Sequence, residues 1–211
     1  MEIKVFPNGI YGAITYFIYD KSSKEGAIVD CTCSIDEIKQ IAQKEEINIK
    51  YILITHGHFD HIYCLSEAKA AFPQAQILLH KDDEILLKQI DMQCDMAGIE
   101  NIKVPCVDAL LGDKTRNLTL GENKIEIIHT KGHSKGGVCY LIGDILFSGD
   151  TLFQGSIGRC DLWGGSMAEI EESIVGKLFK LDENTVVYPG HGDKTTIAYE
   201  KKYNPYFGGK N

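Results

Sequence analysis

Thr55-His56-Gly57-His58-Phe59-Asp60-His61 sets three imidazoles and a carboxylate within six positions, directly after the apolar run Lys50 to Thr55 that reads as a buried strand. On a helix, ligands for one metal would repeat at i and i+3 or i+4. The spacing 56, 58, 60, 61 instead spreads the groups round a tight turn at a strand end. Two adjacent metals, each taking ligands from this loop, are the natural consequence.

Four side chains are too few to close a pair of metal sites. The remaining candidates are His133 in Thr130-Lys131-Gly132-His133-Ser134, Asp150 in Phe147-Ser148-Gly149-Asp150-Thr151, and His191 in Tyr188-Pro189-Gly190-His191-Gly192. Each follows a strand-like run and a glycine, which lets the backbone bend tightly and gives a ligand room to turn inward. The whole set uses five of the seven histidines. His80 and His129, at apparent strand ends outside the pattern, read as structural, and Tyr188 reads as core.

Around these loops, short apolar strands alternate with amphipathic helical patterns. Met1 to Phe6, Tyr11 to Tyr19, Gly26 to Asp30 and Ala75 to His80 read as strands. Ser34 is placed as the cap of a helix carrying Ile35, Ile38, Ile41 and Ala42, and a second helix is expected from about Asp60 to Ala71, ending before Pro73. Gln89 to Cys106 has weak periodicity and reads as a long excursion able to cover a site. From Asn117 to Gly149 the pattern is all strand. Ser166 then caps a helix to about Leu181, Thr185 to Tyr188 is a strand, and Thr195 to Tyr203 a last helix. No Pro-, Gly- or Ser-rich linker interrupts the 211 residues, so a single domain spanning 1–211, built from two packed sheets flanked by helices, is the expected organisation.

Composition narrows the function. With 44% hydrophobic and 25% charged residues the chain is globular, and 22 basic against 30 acidic side chains give a formal charge of -8, which provides no basic field for a nucleic-acid backbone. No apolar stretch approaches the roughly 20 residues that span a bilayer, and the amino terminus reads as strand rather than export signal, so a cytoplasmic protein without nucleic-acid or membrane partners is expected. Seven scattered cysteines without a Cys-x-x-Cys pair fit free thiols in a reducing compartment. The close pair Cys31 and Cys33 is given no function.

The ordered motifs His-x-His-x-Asp-His, Gly-His, Ser-Gly-Asp and Gly-His resemble the metallo-β-lactamase superfamily over about residues 10 to 205. The resemblance implies an α/β four-layered αββα sandwich with the site at the rim between two sheets. It implies that His56, His58 and His133 bind one metal, that Asp60, His61 and His191 bind the other, and that Asp150 bridges them. Two divalent ions are implied, zinc first, with iron or manganese also suited to His and Asp ligands. Within the superfamily, Phe147-Ser148-Gly149-Asp150-Thr151-Leu152-Phe153 and Gly155-Ser156-Ile157-Gly158-Arg159-Cys160-Asp161 look most like the glyoxalase II thioester hydrolases. Arg159 matches the position of a basic residue near the substrate, with a carboxylate-binding role. Long glyoxalase II enzymes add a C-terminal helical domain that forms part of the glutathione site, whereas residues 192–211 are too few for one, so the thiol carrier stays open. Lys131 stands where the family often has proline.

The implied centre favours hydrolysis. Two divalent cations offset by Asp60, Asp150 and a bridging hydroxide leave about one positive charge, so a small anionic substrate is expected. Metal lowers the pKa of water to roughly 7 and polarises a carbonyl. Thioester cleavage is the easy assignment, because a thiolate of pKa about 8 to 9 leaves without a proton while an amide nitrogen needs one. Asp30, at the end of its strand, is a candidate to orient a metal-bound histidine from behind. The competing readings are a persulfide dioxygenase with one iron on a subset of the same ligands, and a non-hydrolytic di-iron redox or oxygen-binding module. The sequence leaves oligomeric state open.

Overall fold

The computed structural model describes residues 1–112 and 118–210. β1 (Glu2–Phe6), β2 (Thr15–Asp20), β3 (Glu25–Val29), β4 (Asn48–Leu53), β5 (Gln76–His80) and β6 (Ala109–Leu111) form one six-stranded sheet in that order. Its first three strands are antiparallel and the rest pair in parallel, which forces crossover connections between them. Those connections carry α1 (Asp36–Glu45), α2 (Phe59–Ile62), α3 (Leu65–Ala71), α4 (Glu84–Lys88) and α5 (Ile90–Ala97). β7 (Leu118–Leu120), β8 (Asn123–His129), β9 (Val138–Ile142) and β10 (Ile145–Gly149) begin the second sheet. β11 (Leu152–Phe153) and β12 (Ser156–Ile157) make a separate ribbon, α6 (Met167–Gly176) follows, and β13 (Val186–Pro189), β14 (Thr195–Thr196) and α7 (Ile197–Tyr203) end the chain. The second sheet runs β14-β13-β10-β9-β8-β7.

Strand alternation builds the layers. In β2, Tyr16 and Ile18 face the same layer as Val29, Leu53, Tyr140 and Phe147, which is the core between the sheets. Phe17 and Tyr19 turn the other way and pack with Ile38 of α1 and Leu65 of α3. In the second sheet Leu146 and Val187 pack with Ile170 and Ile174 of α6 and Ile197 of α7. The result is the four-layered αββα sandwich. Each fully buried aliphatic or aromatic side chain in these layers contributes about 1.5–3 kcal/mol.

Several local expectations differ from the structure. Tyr11 lies in a 3-10 turn (Ile10–Gly12) at φ 55, so β2 starts only at Thr15. Ser34 does not cap α1. Ile35 occupies that position without a side-chain bond, and Glu67 of α3 accepts from Ile35 N at 2.9 Å, supplying from another helix the acceptor that the helix start lacks. The helix expected from Asp60 to Ala71 is broken into α2 and α3. The excursion after Gln89 contains the helix α5, and the helix expected to Leu181 ends at Gly176 and continues as a 3-10 turn, Leu178–Lys180. Thr195 and Thr196 are strand, and only from Ile197 is the chain helical. Ser166 caps α6 as expected, its Oγ accepting from Glu169 N at 3.4 Å. Asn117, the expected start of the all-strand stretch, lies outside the described residues.

Candidate metal centre

The loops that leave the carboxyl ends of β4, β8, β10 and β13 meet at one rim of the two sheets. They bring together all seven residues singled out as ligands. His58 Nδ1 lies 2.9 Å from His133 Nε2, which lies 3.2 Å from His56 Nε2. A tetrahedral ion with nitrogen bonds of about 2.0–2.1 Å holds its ligand atoms about 3.3 Å apart, so these three nitrogens stand at the spacing of a coordination shell. In the second group His191 Nε2 lies 3.2 Å from His61 Nε2 and 3.4 Å from Asp60 Oδ2. Asp150 sits between the groups, with Oδ1 3.3 Å from His61 Nε2 and Oδ2 3.7 Å from His133 Nε2 and 3.6 Å from His191 Nε2.

The partners behind the rings fix which nitrogen is bare. His61 Nδ1 contacts Asp30 Oδ2 at 2.7 Å, His133 Nδ1 the Arg159 carbonyl at 2.8 Å, and His191 Nδ1 the Tyr11 carbonyl at 3.2 Å. Carbonyl and carboxylate oxygens only accept, so each Nδ1 carries the proton and donates it, leaving Nε2 toward the centre. Thr55 Oγ1 donates to Asp30 Oδ2 at 2.8 Å and therefore accepts from His56 Nδ1 at 3.0 Å, with the same consequence for His56. Asp30 also accepts from Thr55 N at 2.8 Å. Its left-handed φ of 56 aims the carboxylate at both neighbours, a conformation that aspartate tolerates. The predicted orienting role of Asp30 thus has its geometry.

This arrangement fits a metal. His56 Nε2 and His133 Nε2 turn lone pairs toward one another at 3.2 Å with both ring protons committed elsewhere, which is unfavourable unless a cation lies between them. Asp150 Oδ1 is buried with the His61 ring 3.3 Å away and no backbone donor, an arrangement that a cation would complete. Burial, reinforced by the neighbouring imidazoles, pushes His56 well below the usual histidine pKa. Burial and His133 bring His58 down to about 3, so both rings are neutral ligands at pH 7. His61 behaves oppositely. Desolvation lowers its pKa, but Asp150, Asp30 and Asp60 outweigh that and raise it well above the ordinary value. His191 is raised as well, its desolvation overcome by Asp60 and Asp150. Asp150 and Asp60 are themselves held low by the histidines, against a desolvation that would raise them.

Two glycines are required by close approach. A Cβ on Gly190 would collide with Asp150 Oδ1 and come 2.6 Å from His61 Cε1, and one on Gly158 would strike the Asp150 carbonyl. The sequence reading valued Gly190 only for the turn before His191.

Sequence reasoning missed Asp83. This fully buried carboxylate accepts from Gly57 N at 3.0 Å, Ser134 Oγ at 2.7 Å and Gly136 N at 2.6 Å. It fastens the loop between His56 and His58 to the loop after His133. Burial raises its pKa, while those three donors oppose the rise. In sequence it is one acid of Lys81-Asp82-Asp83-Glu84, which reads as solvent-facing.

The centre forms the floor of a cleft of about 430 Å³ lined by α5, the Leu162–Trp163 loop, Tyr11 and Phe59. Arg159 lines the cleft too, but its guanidinium is held by Asp161 through Nε at 2.7 Å and Nη2 at 2.8 Å. His80 and His129 stay out of the centre. Their rings stack at 4.0 Å, and they group instead with Asp82. Tyr188 packs against Tyr16 and Phe147 between the sheets. Among the described residues no helix is long and apolar enough to cross a membrane.

The model of the metallo-beta-lactamase superfamily matches residues 11–191, a span that contains every one of these loops. The chain belongs to that superfamily. Among superfamily proteins similar to it, hydroxyacylglutathione hydrolase GloC of Haemophilus influenzae is 30% identical over 212 residues, covering all of both chains. The solved structure of BLEG-1, a B3 metallo-beta-lactamase, is 33% identical with a TM-score of 0.88, covering 99% of this chain and 100% of that one. The protein TTHA1623, solved in a di-iron-bound form, is 28% identical with a TM-score of 0.85, covering 97% of this chain and 100% of that one. The His/Asp cluster is thus a metal-binding cluster of the superfamily type in an αββα fold.

Proposed function

We propose that this metal-dependent hydrolase cleaves a thioester at a two-metal centre, in the manner of the glyoxalase II group. The observation that carries the proposal is the pair of ligand groups, one of His56, His58 and His133 and the other of Asp60, His61 and His191, with Asp150 between them at the floor of an open cleft. Bound there, two divalent ions would supply an ionised water near neutral pH and polarise the scissile carbonyl. The all-nitrogen and carboxylate donor set suits zinc, and iron or manganese as well.

The residues of the chain do the positioning. Asp60 and Asp150 accept hydrogen bonds from the attacking water and aim its oxygen at the carbonyl carbon. Asp30, Thr55 and the carbonyls of Tyr11 and Arg159 keep the imidazole tautomers fixed. Per turnover, water oxygen bonds to the carbonyl carbon, the C–S bond breaks, and a carboxylate and a thiolate leave while two protons pass to solvent. Outside the ligand set, no described residue lining the cleft is a carboxylic acid or an ammonium group. An amide nitrogen must be protonated as it leaves, and outside the ligand set the Tyr11 phenol is the remaining candidate among these residues, whereas a thiolate needs no donor. The similarity to a hydroxyacylglutathione hydrolase supports the same class of substrate.

Thiol release from S-D-lactoylglutathione, followed with a thiol reagent, tests the proposal. Release by metal-loaded protein and its loss after chelation are expected. Faster hydrolysis of bis(4-nitrophenyl) phosphate than of any thioester would overturn it.

Proton linkage gives a second expectation. Metal competes with protons for these rings: in the metal-free protein His56 and His58 are held below the ordinary histidine range, while His61 and His191 are raised above it. Loading of the second group should therefore release more protons than loading of the first. Lowering the pH from 7 toward 6 should weaken the second site more than the first. Calorimetry of metal binding in buffers of different ionisation enthalpy reads this directly. Equal proton release at both steps would contradict the assignment.

A further inference from the structure

Among the described residues that line the cleft, Tyr11 is the one non-glycine residue with a left-handed backbone. Its φ of 55 and ψ of 18 crowd a bulky side chain against its own main chain. The turn around it is held from several sides. Gly9 N donates to Ala13 O, Gly12 N to Gly9 O and Ala13 N to Ile10 O, each at 3.0 Å, and Ile14 N donates to Gly190 O at 2.9 Å, next to His191. Strain of this kind persists where the surroundings enforce it, and it gathers at sites of function.

The Tyr11 carbonyl has one such function, accepting from His191 Nδ1 at 3.2 Å. That bond needs the turn but no side chain, and glycine or asparagine would present the same carbonyl with less crowding. Packing does not account for the ring either. Tyr11 is 68% exposed, and its ring meets Phe59 edge-to-face with centroids 5.8 Å apart. Phe59 lies between the ligands His58 and Asp60, so the Tyr11 ring stands at the mouth of the cleft beside the metal centre. Tyr11 also brings the one hydroxyl among the described residues that line the cleft, and no described residue bonds to it.

We propose that Tyr11 is a substrate-binding residue, whose phenol donates a hydrogen bond to an oxygen on the thiol arm that leads out through the mouth and whose ring covers that arm. The metal ligands form the floor, where the scissile carbonyl reacts. A contact made at the mouth is equal in ground and transition state, so it sets KM and leaves kcat nearly unchanged. The thiol it selects carries an oxygen acceptor along its arm, as a peptide-like thiol does. This inference rests on the thioester reading and deepens it by naming the residue that holds the carrier and the group it holds.

Tyr11→Phe keeps the ring and the Phe59 contact and removes the donor. In the metal-loaded protein its KM for S-D-lactoylglutathione should rise about fivefold or more with kcat within about twofold. S-butylglutathione, a thioether that is not hydrolysed, should lose about the same factor in Kd, read from the emission of Trp163, the single tryptophan, which lines the cleft. Tyr11→Asn suits the left-handed turn and removes the ring as well. It should raise KM further while metal content and Tm hold, because the carbonyl on His191 is kept. A merely structural Tyr11 would give the reverse pattern, with native KM and Kd in Tyr11→Phe and metal lost from Tyr11→Asn. That pattern, a fall in kcat at unchanged KM, or no emission change when wild-type protein is titrated with S-butylglutathione would overturn the inference. Failure of the thioester reading is a different result, seen as absent thiol release by wild-type protein from every thioester, with the Kd comparison still measurable.

Discussion

Asp150→Ala is expected to lower thiol release by about 10³-fold or more, equivalent to roughly 4 kcal/mol of transition-state stabilisation, and to reduce bound metal from two equivalents to one or none. The expectation follows from position. Among the described residues Asp150 is the one carboxylate within 3.3–3.7 Å of histidines from both groups, so its loss opens both ligand sets at once. His58→Ala, by contrast, removes a ligand from the first group alone. It should abolish hydrolysis and lower metal content while the far-ultraviolet circular dichroism stays native. Metal analysis beside the thiol assay checks both variants. An Asp150→Ala protein that retains two equivalents of metal and near-native turnover would remove the bridging assignment.

The second large effect belongs to a residue that touches no ligand atom. Asp83→Ala would leave Gly57 N, Gly136 N and Ser134 Oγ without their acceptor inside the protein. Each buried unsatisfied donor costs about 1–3 kcal/mol, and for a chain of this size 1 kcal/mol shifts Tm by roughly 2–4 °C. A fall of about 10 °C in the metal-free protein is expected, measured by circular dichroism melting. Metal affinity should fall as well, because Gly57 lies between His56 and His58 and Ser134 follows His133. Asp83→Asn keeps one carbonyl acceptor and should recover part of both losses. If Asp83→Ala melts with the wild type and binds metal equally, the clamp has no energetic role.

The difference between these residues explains what the sequence can reveal. His56, His58, Asp60 and His61 announce themselves because their chemistry is written in local spacing on one loop, and His133, Asp150 and His191 each follow a strand and a glycine in a recognisable order. In the structure the seven converge, with nitrogen and oxygen atoms 2.9–3.9 Å apart. The alternating faces of β2 and the apolar run of β4 likewise place the sheets. Asp83 is illegible because its donors come from residues 57, 134 and 136, far along the chain, and nothing in an acidic tripeptide marks it as buried.

The cleft wall is hidden for a related reason. α5 mixes Asp91, Gln93 and Asp95 with Met92 and Met96, because one face packs Ile90 and Cys94 into the core while the methionines stay exposed at the mouth. That division blurs the helical period. Arg159 lines the cleft, but its pairing depends on Asp161, two residues on, and the geometry alone reveals that its carbonyl serves His133 while its guanidinium contacts Asp161. The pairs β11–β12 and β13–β14 include strands of two residues, below the length at which alternation can be read.

The most direct test of the central claim is a titration of metal-free protein with Zn²⁺, reading thiol release from S-D-lactoylglutathione at each addition. The account predicts no release without metal and a rate that rises to a plateau at two equivalents per chain, with iron or manganese able to take the place of zinc. Thiol release that ignores metal and chelator alike, or no release at two equivalents of any of the three ions, would contradict it.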